Sequence, residues 1–181
     1  MPDTRWIDEP KRNEPLWAPL QSYPFGRSKE RCLEVAAQFA VTVHPRYAKE
    51  TTDTGTRTWC NIYVWDVTSA MHAEVPHWVG PSRDPAAPGP HNTELTANDM
   101  IDWLGVGRGE WTRMADADQA YSWADLGRPV VATYRARTGQ HGHVAMVLPG
   151  RRIAQAGAVN IFNSPLALGF GSLPVVFFGH L

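Results

Sequence analysis

The hydrophobic pattern of this chain changes period near residue 130, and that change limits the folds open to it. Before it, apolar residues recur at helical spacing; after it, short β-rich runs alternate with turns. The first helix is expected from a Ser28 cap to about Val41, with Leu33, Ala36, Ala37 and Ala40 on one face, and His44-Pro45 ends it. A second opens at Cys60, where the turn-rich stretch 51–56 gives way to a run with Tyr63, Val67, Ala70 and Met71 at helical spacing. It should stop near Ala73, ahead of Pro76. A third helix fits 97–104, capped by Thr96 or Thr93 and closed by Gly105. Trp111 to Ala124 reads as a further helical piece or turn. Then come strands at 130–134, 143–148 and 153–156, separated by turns at 138–142 and 149–152, and a last strand in the tail 173–180. Helices first and an antiparallel meander after them argue an α+β fold.

A chain of 181 residues is long enough for one core of its own. Residues 1–26, punctuated by Pro2, Pro10, Pro15, Pro19 and Pro24, are expected to form an extended arm, and 27–181 a single domain. The loop at 80–92 is too embedded to be a linker, and a loop of that length is often part of a binding rim. A net charge of −1 without basic clusters gives no electrostatic basis for binding nucleic acid or an anionic membrane. No apolar run is long enough to span a bilayer, and Met1 to Trp6 lacks a signal-peptide pattern. Synthesis in the cytoplasm is therefore expected, with delivery by something other than the general secretory route if the protein acts elsewhere. A monomer is expected.

Two cysteines do not make a disulfide framework. Cys32 lies inside the first helix and reads as a small buried residue. Cys60 differs, because it stands where a loop becomes a helix. Unpaired N–H groups at a helix start favour negative charge, so its thiol is expected to fall below the free value of about 8.5. Far downstream, Gly142-His143-Val144-Ala145-Met146-Val147 places a histidine at the head of an apolar strand. A thiol and an imidazole on rigid elements are the parts of a nucleophile and its base. His141 is a rival, closer to the turn. A third group should orient the ring, and Gln155 on the next strand is the leading choice, with Asn160 and Asn163 as competitors. Trp59 and Asn61 flank the cysteine, and His77-Trp78, the 80–92 loop and the helix carrying Trp103 offer substrate walls; ordinary packing explains these as well. Seven histidines raise the question of a metal, but no HExxH or paired-cysteine spacing occurs, and none is expected. Gly105-Val106-Gly107-Arg108-Gly109 follows a helix and lacks the lysine of a phosphate loop, and no cofactor is expected.

Thr58-Trp59-Cys60-Asn61 at a helix start, the Gly142-His143-Val144-Ala145-Met146-Val147 strand and a polar residue on the next strand resemble the NlpC-like and CHAP cell-wall cysteine peptidases, over roughly residues 45–165. The resemblance implies a papain-like fold in which N-terminal helices, the nucleophile helix among them, pack on a central antiparallel sheet. It implies cleavage of an amide in bacterial peptidoglycan, with Cys60 as nucleophile and His143 as base. Gln155 matches the NlpC-like position of the third residue, where His is commoner; the CHAP pattern favours Asn160. Tyr47 would match an upstream tyrosine that assists the oxyanion. A phage endolysin or an injected antibacterial effector, the latter with an immunity protein, would fit such an enzyme, acting in the periplasm or wall of a target cell. A cysteine protease or acyltransferase on a protein substrate, or a catalytically silent binding module of the same fold, stays open beside it.

Overall fold

The computed structural model describes residues 12–14, 16, 18–53, 55–137 and 140–181. It is an α+β structure built on a six-stranded antiparallel sheet. Helix α1 spans Lys29–Gln38 and α2 Cys60–Ala70. A short hairpin, β1 (Glu50–Thr52) and β2 (Gly55–Arg57), lies between them. After α2 come the ribbon β3 (Trp78–Val79) and β4 (Thr93–Glu94), then α3 (Ala97–Gly105). Strand β5 (Trp111–Arg113) precedes α4 (Ala117–Asp125), β6 (Val130–Tyr134), β7 (His143–Leu148) and β8 (Arg152–Gln155). The chain closes with β9 (Ile161–Pro165), α5 (Leu166–Phe170) and β10 (Val176–His180). Across the sheet the order is β5-β10-β6-β7-β8-β9.

The central strands are apolar on both faces because both faces are covered. Along β7, Val144, Met146 and Leu148 join a core with α1, α2 and α3, whereas Ala145 and Val147 join a second core with α4 and Phe170 of α5. The two-residue alternation of a strand produces this division. Helix α2 packs on β7, and its inward residues Ile62, Tyr63, Val64 and Val67 are buried.

Several elements differ from the sequence reading, each for a local reason. Helix α1 stops at Gln38 because Ala40 takes a left-handed φ of 46°. Helix α2 ends at Ala70, before the proline is reached, where His72 takes a left-handed φ of 52° and Thr68 Oγ1 accepts from Val75 N. The expected piece 111–124 is two elements: Trp111–Arg113 pairs with β10, and Asp116 starts α4 by accepting from Gln119 N. The loop at 80–92 is pinned, with a Val79–Pro85 bridge and the Trp103 indole donating to Arg83 O at 2.9 Å. Of the expected N-terminal arm, residues 1–11, 15 and 17 lie outside the described residues, as do 138 and 139 of the turn before β7. The described stretch 18–26 packs on the domain: Gln38 accepts from Leu20 N and donates to Leu20 O, and Ser22 N donates to Ala70 O. No helix among the described residues is long and apolar enough to cross a membrane.

Candidate active site

Cys60 is the first residue of α2. The residue before it, Trp59, sits at φ −124° and ψ 37° and makes no side-chain cap bond, so the amides of the first turn are left to other acceptors. The thiol is among them: the N–H groups of Asn61 and of Cys60 itself favour its thiolate. A third donor comes from across the core, the N–H of Val144. That amide is not taken by β8, because the pairing of β7 with β8 stops at Met146 opposite Ala154. Burial nevertheless outweighs these donors. Cys60 is 4% exposed, and its pKa is raised above the ordinary thiol value rather than lowered. The expected depression fails because a helix start stabilises an anion by partial charges, while removal from water costs more.

His143 opens β7 and is half-buried; its rival His141 is exposed. The ring approaches Gln155 Oε1 at 2.6 Å through Nε2 and packs against Phe170, with centroids 4.9 Å apart. Gln155 is buried and donates through Nε2 to Val159 O at 3.2 Å. An amide oxygen only accepts, so this bond assigns the proton to Nε2 of His143 and leaves Nδ1 with its lone pair. Burial lowers the His143 pKa, and the Gln155 bond partly offsets that. No hydrogen bond joins the Cys60 sulfur to the His143 ring; the two are linked through the strand, Val144 meeting the sulfur and the preceding residue carrying the imidazole. At rest the pair is thiol and imidazole, not thiolate and imidazolium.

The remaining expected residues divide. Asn160 is not beside the histidine: its amide donates to Val41 O at 3.0 Å and Tyr47 O at 2.9 Å, tying its loop to the segment after α1. Tyr47 is buried, and its hydroxyl is spent on Asp66 Oδ2 at 2.6 Å, so it has no proton to offer an oxyanion. Trp59 is half-buried, donates to Ala48 O and carries the Arg12 guanidinium 3.8 Å above its ring. Asn61 donates to Leu95 O at 3.0 Å and lies 3.4 Å from His77 Nδ1. His77 is fully buried between Trp65 and Trp78; its Nε2 stands 3.0 Å from Glu94 Oε1, and burial pushes its pKa down to about 4. The half-exposed Glu94 carboxylate is too well hydrated to reverse that. His77 and Asn61 thus brace the start of α2. Cys32 is buried and its thiol is pushed up to about 12, which makes it inert beside Cys60.

Sequence reasoning missed Asn98 on α3. Its Oδ1 accepts from Ala136 N at 3.1 Å and its Nδ2 donates to Gln140 O at 3.2 Å, which holds the chain leading into His143. A Cβ at Gly142 would lie 2.3 Å from Asn98 Oδ1, so this glycine is needed for close approach. The sequence signal was present only as Gly142 beside His143. Among the described residues no group of His, Cys, Asp and Glu is arranged to hold a metal. Neither models of known protein families nor curated proteins give a match to the chain.

Proposed function

We propose that the protein is a cysteine-dependent acyl-transfer enzyme of the papain-like, NlpC- or CHAP-like kind, and that its substrates are amides of bacterial peptidoglycan. The observation that carries the reading is the 2.6 Å hydrogen bond of His143 to Gln155 at the head of β7, the strand on which the Cys60 helix packs, with the adjacent Val144 in the same buried core as Cys60. The six-stranded antiparallel sheet with the cysteine helix packed on β7 supports the fold assignment. In the reaction His143 Nδ1 accepts the thiol proton as sulfur bonds to the amide carbonyl. The Cys60 amide donates to the developing oxyanion. The C–N bond then breaks, and the imidazolium gives its proton to the leaving amine. Water, activated by the same nitrogen, hydrolyses the thioester and regenerates the thiol. Gln155 keeps Nε2 protonated throughout. The setting would be a phage lysin or an injected effector guarded by an immunity protein.

The burial of Cys60 favours a second reading, a silent binding module of the same fold, because a 4% exposed thiol with a raised pKa reacts only after the site opens. The test is mass spectrometry of purified Gram-negative peptidoglycan incubated with wild type and with Cys60→Ala. Soluble fragments from wild type alone are expected, and their masses name the bond. Equal release, or none, overturns the wall-hydrolase reading; none with a Cys60 that alkylates readily leaves an acyl-transfer enzyme for a protein substrate, and none with an inert Cys60 leaves the silent module.

A further inference from the structure

The His143–Gln155 pair is closed from above by the short helix α5, which no sequence pattern links to the site. Gly169 lies directly over the amide: a Cβ there would fall 2.2 Å from Gln155 Oε1 and 2.7 Å from Ile153 Cδ1. Gly157 closes the other side, where a Cβ would fall 2.9 Å from Gln155 Nε2 and 3.2 Å from His143 Cε1. Neither glycine has a left-handed φ, so the backbone does not require them; the space does. Phe170, 2% exposed, follows Gly169 and places its ring against the imidazole. Carbonyl 159 accepts from the other end of the glutamine amide and fixes which way it points.

Resting on the proposed acyl-transfer reading, we propose that Gly169 and Phe170 are positioning residues for the base: Gly169 supplies the volume that lets the Gln155 amide reach His143, and Phe170 keeps water out of their hydrogen bond. Helix α5 thereby sets the ring tautomer without touching substrate. A methyl at 169 must move the Gln155 oxygen, because heavy atoms do not approach to 2.2 Å, and the displaced amide no longer holds Nε2–H. The His143 ring then divides between both tautomers, and Nδ1 is protonated in part of the population.

The test uses the full chain labelled with nitrogen-15, reading the His143 ring shifts at pH 8 together with the rate at which iodoacetamide alkylates Cys60. Wild type is expected to show the Nε2–H tautomer. Gly169→Ala is expected to show the mixed tautomers of Gln155→Leu, with alkylation slowed about tenfold to a hundredfold, toward the scale that a positioned base supplies. Phe170→Leu keeps an apolar side chain but removes the ring that covers the imidazole, and in it the Nε2 proton is expected to exchange with solvent at least ~10-fold faster, as a bond opened to water would. A Gly169→Ala chain with the wild-type tautomer and rate overturns the proposal. If Gly169→Ala does not fold, unchanged proton exchange in Phe170→Leu overturns it instead. The tautomer readout does not depend on turnover: its collapse in Gly169→Ala without any peptidoglycan release by wild type would remove the wall-hydrolase reading and leave this inference standing.

Discussion

Two polar sites sit on α2, at Cys60 and at Asp66 less than two turns further on, and they are built on opposite principles. Asp66, in the middle of the helix, is a fully buried carboxylate with every lone pair used. Arg46 meets it bidentately at 2.7 and 2.9 Å, Tyr47 donates at 2.6 Å, and Leu16 N adds a fourth donor at 3.2 Å. The spare guanidinium donor reaches Glu14 O, and His44 Nδ1 accepts from Arg46 N. Cys60 and His143, at the helix start, have few side-chain partners; the glutamine is the one that fixes the ring. The first site is satisfied in one charged state and ties two segments of chain, 14–16 and 44–47, to α2. The second is neutral, because burial raises the thiol pKa and lowers that of the imidazole. A stabilising polar cluster uses up its donors and acceptors, whereas a reactive one must leave a thiol proton and a lone pair free.

This contrast breaks most sharply at Arg46. Replacing Arg46 with Met leaves the Asp66 carboxylate buried and unpaired, and should lower stability by about 3–5 kcal/mol. Urea unfolding followed by circular dichroism measures it; a loss below about 1 kcal/mol would mean that the carboxylate takes a proton or finds water at little cost. Next in size is Tyr47→Phe, which removes one hydrogen bond to a charged acceptor and should cost about 1.5–3 kcal/mol. If Tyr47 belongs to the structural cluster, the loss appears in unfolding and not in peptidoglycan turnover. Retained stability with lost turnover would return this residue to the active site.

A third break in the comparison is pH-dependent and lies at His44. Burial and the Arg46 guanidinium lower its pKa from 6.5 to about 4. Its folded form binds protons less readily than the unfolded chain, so its stability contribution is complete above pH 6.5 and declines as pH falls toward 4. The slope is about 1.4 kcal/mol per pH unit at most. Unfolding midpoints of wild type and His44→Gln between pH 7 and 4 should converge as the solution is acidified; parallel lines would sink the assignment. Cys60 reactivity rises with pH too, but over a higher range. Because burial raises its pKa, alkylation of the free protein should still be climbing at pH 9.

The sequence by itself determined the α+β class, the helix that begins at Cys60 and the strand that begins at His143, and it narrowed the ring partner to Gln155 or a nearby asparagine. These follow from period, caps and turn chemistry, which act over a few residues. It missed β1, β2, β3, β4, β9 and α5 and read β5 as part of a helical piece or turn, because such short runs carry too little periodicity to register. Only the tertiary structure decided what each polar side chain would meet. Tyr47 and Asn160 looked available because their partners, Asp66 and the carbonyls of Val41 and Tyr47, lie 19 and 113 to 119 residues away. The thiol pKa was decided in the same way: helix position is legible in sequence, but desolvation depends on what packs over the sulfur from β7, and here it outweighs the helix. The glycines over Gln155 belong to this class too, since an empty volume is defined by its neighbours in space and leaves no local mark on the chain.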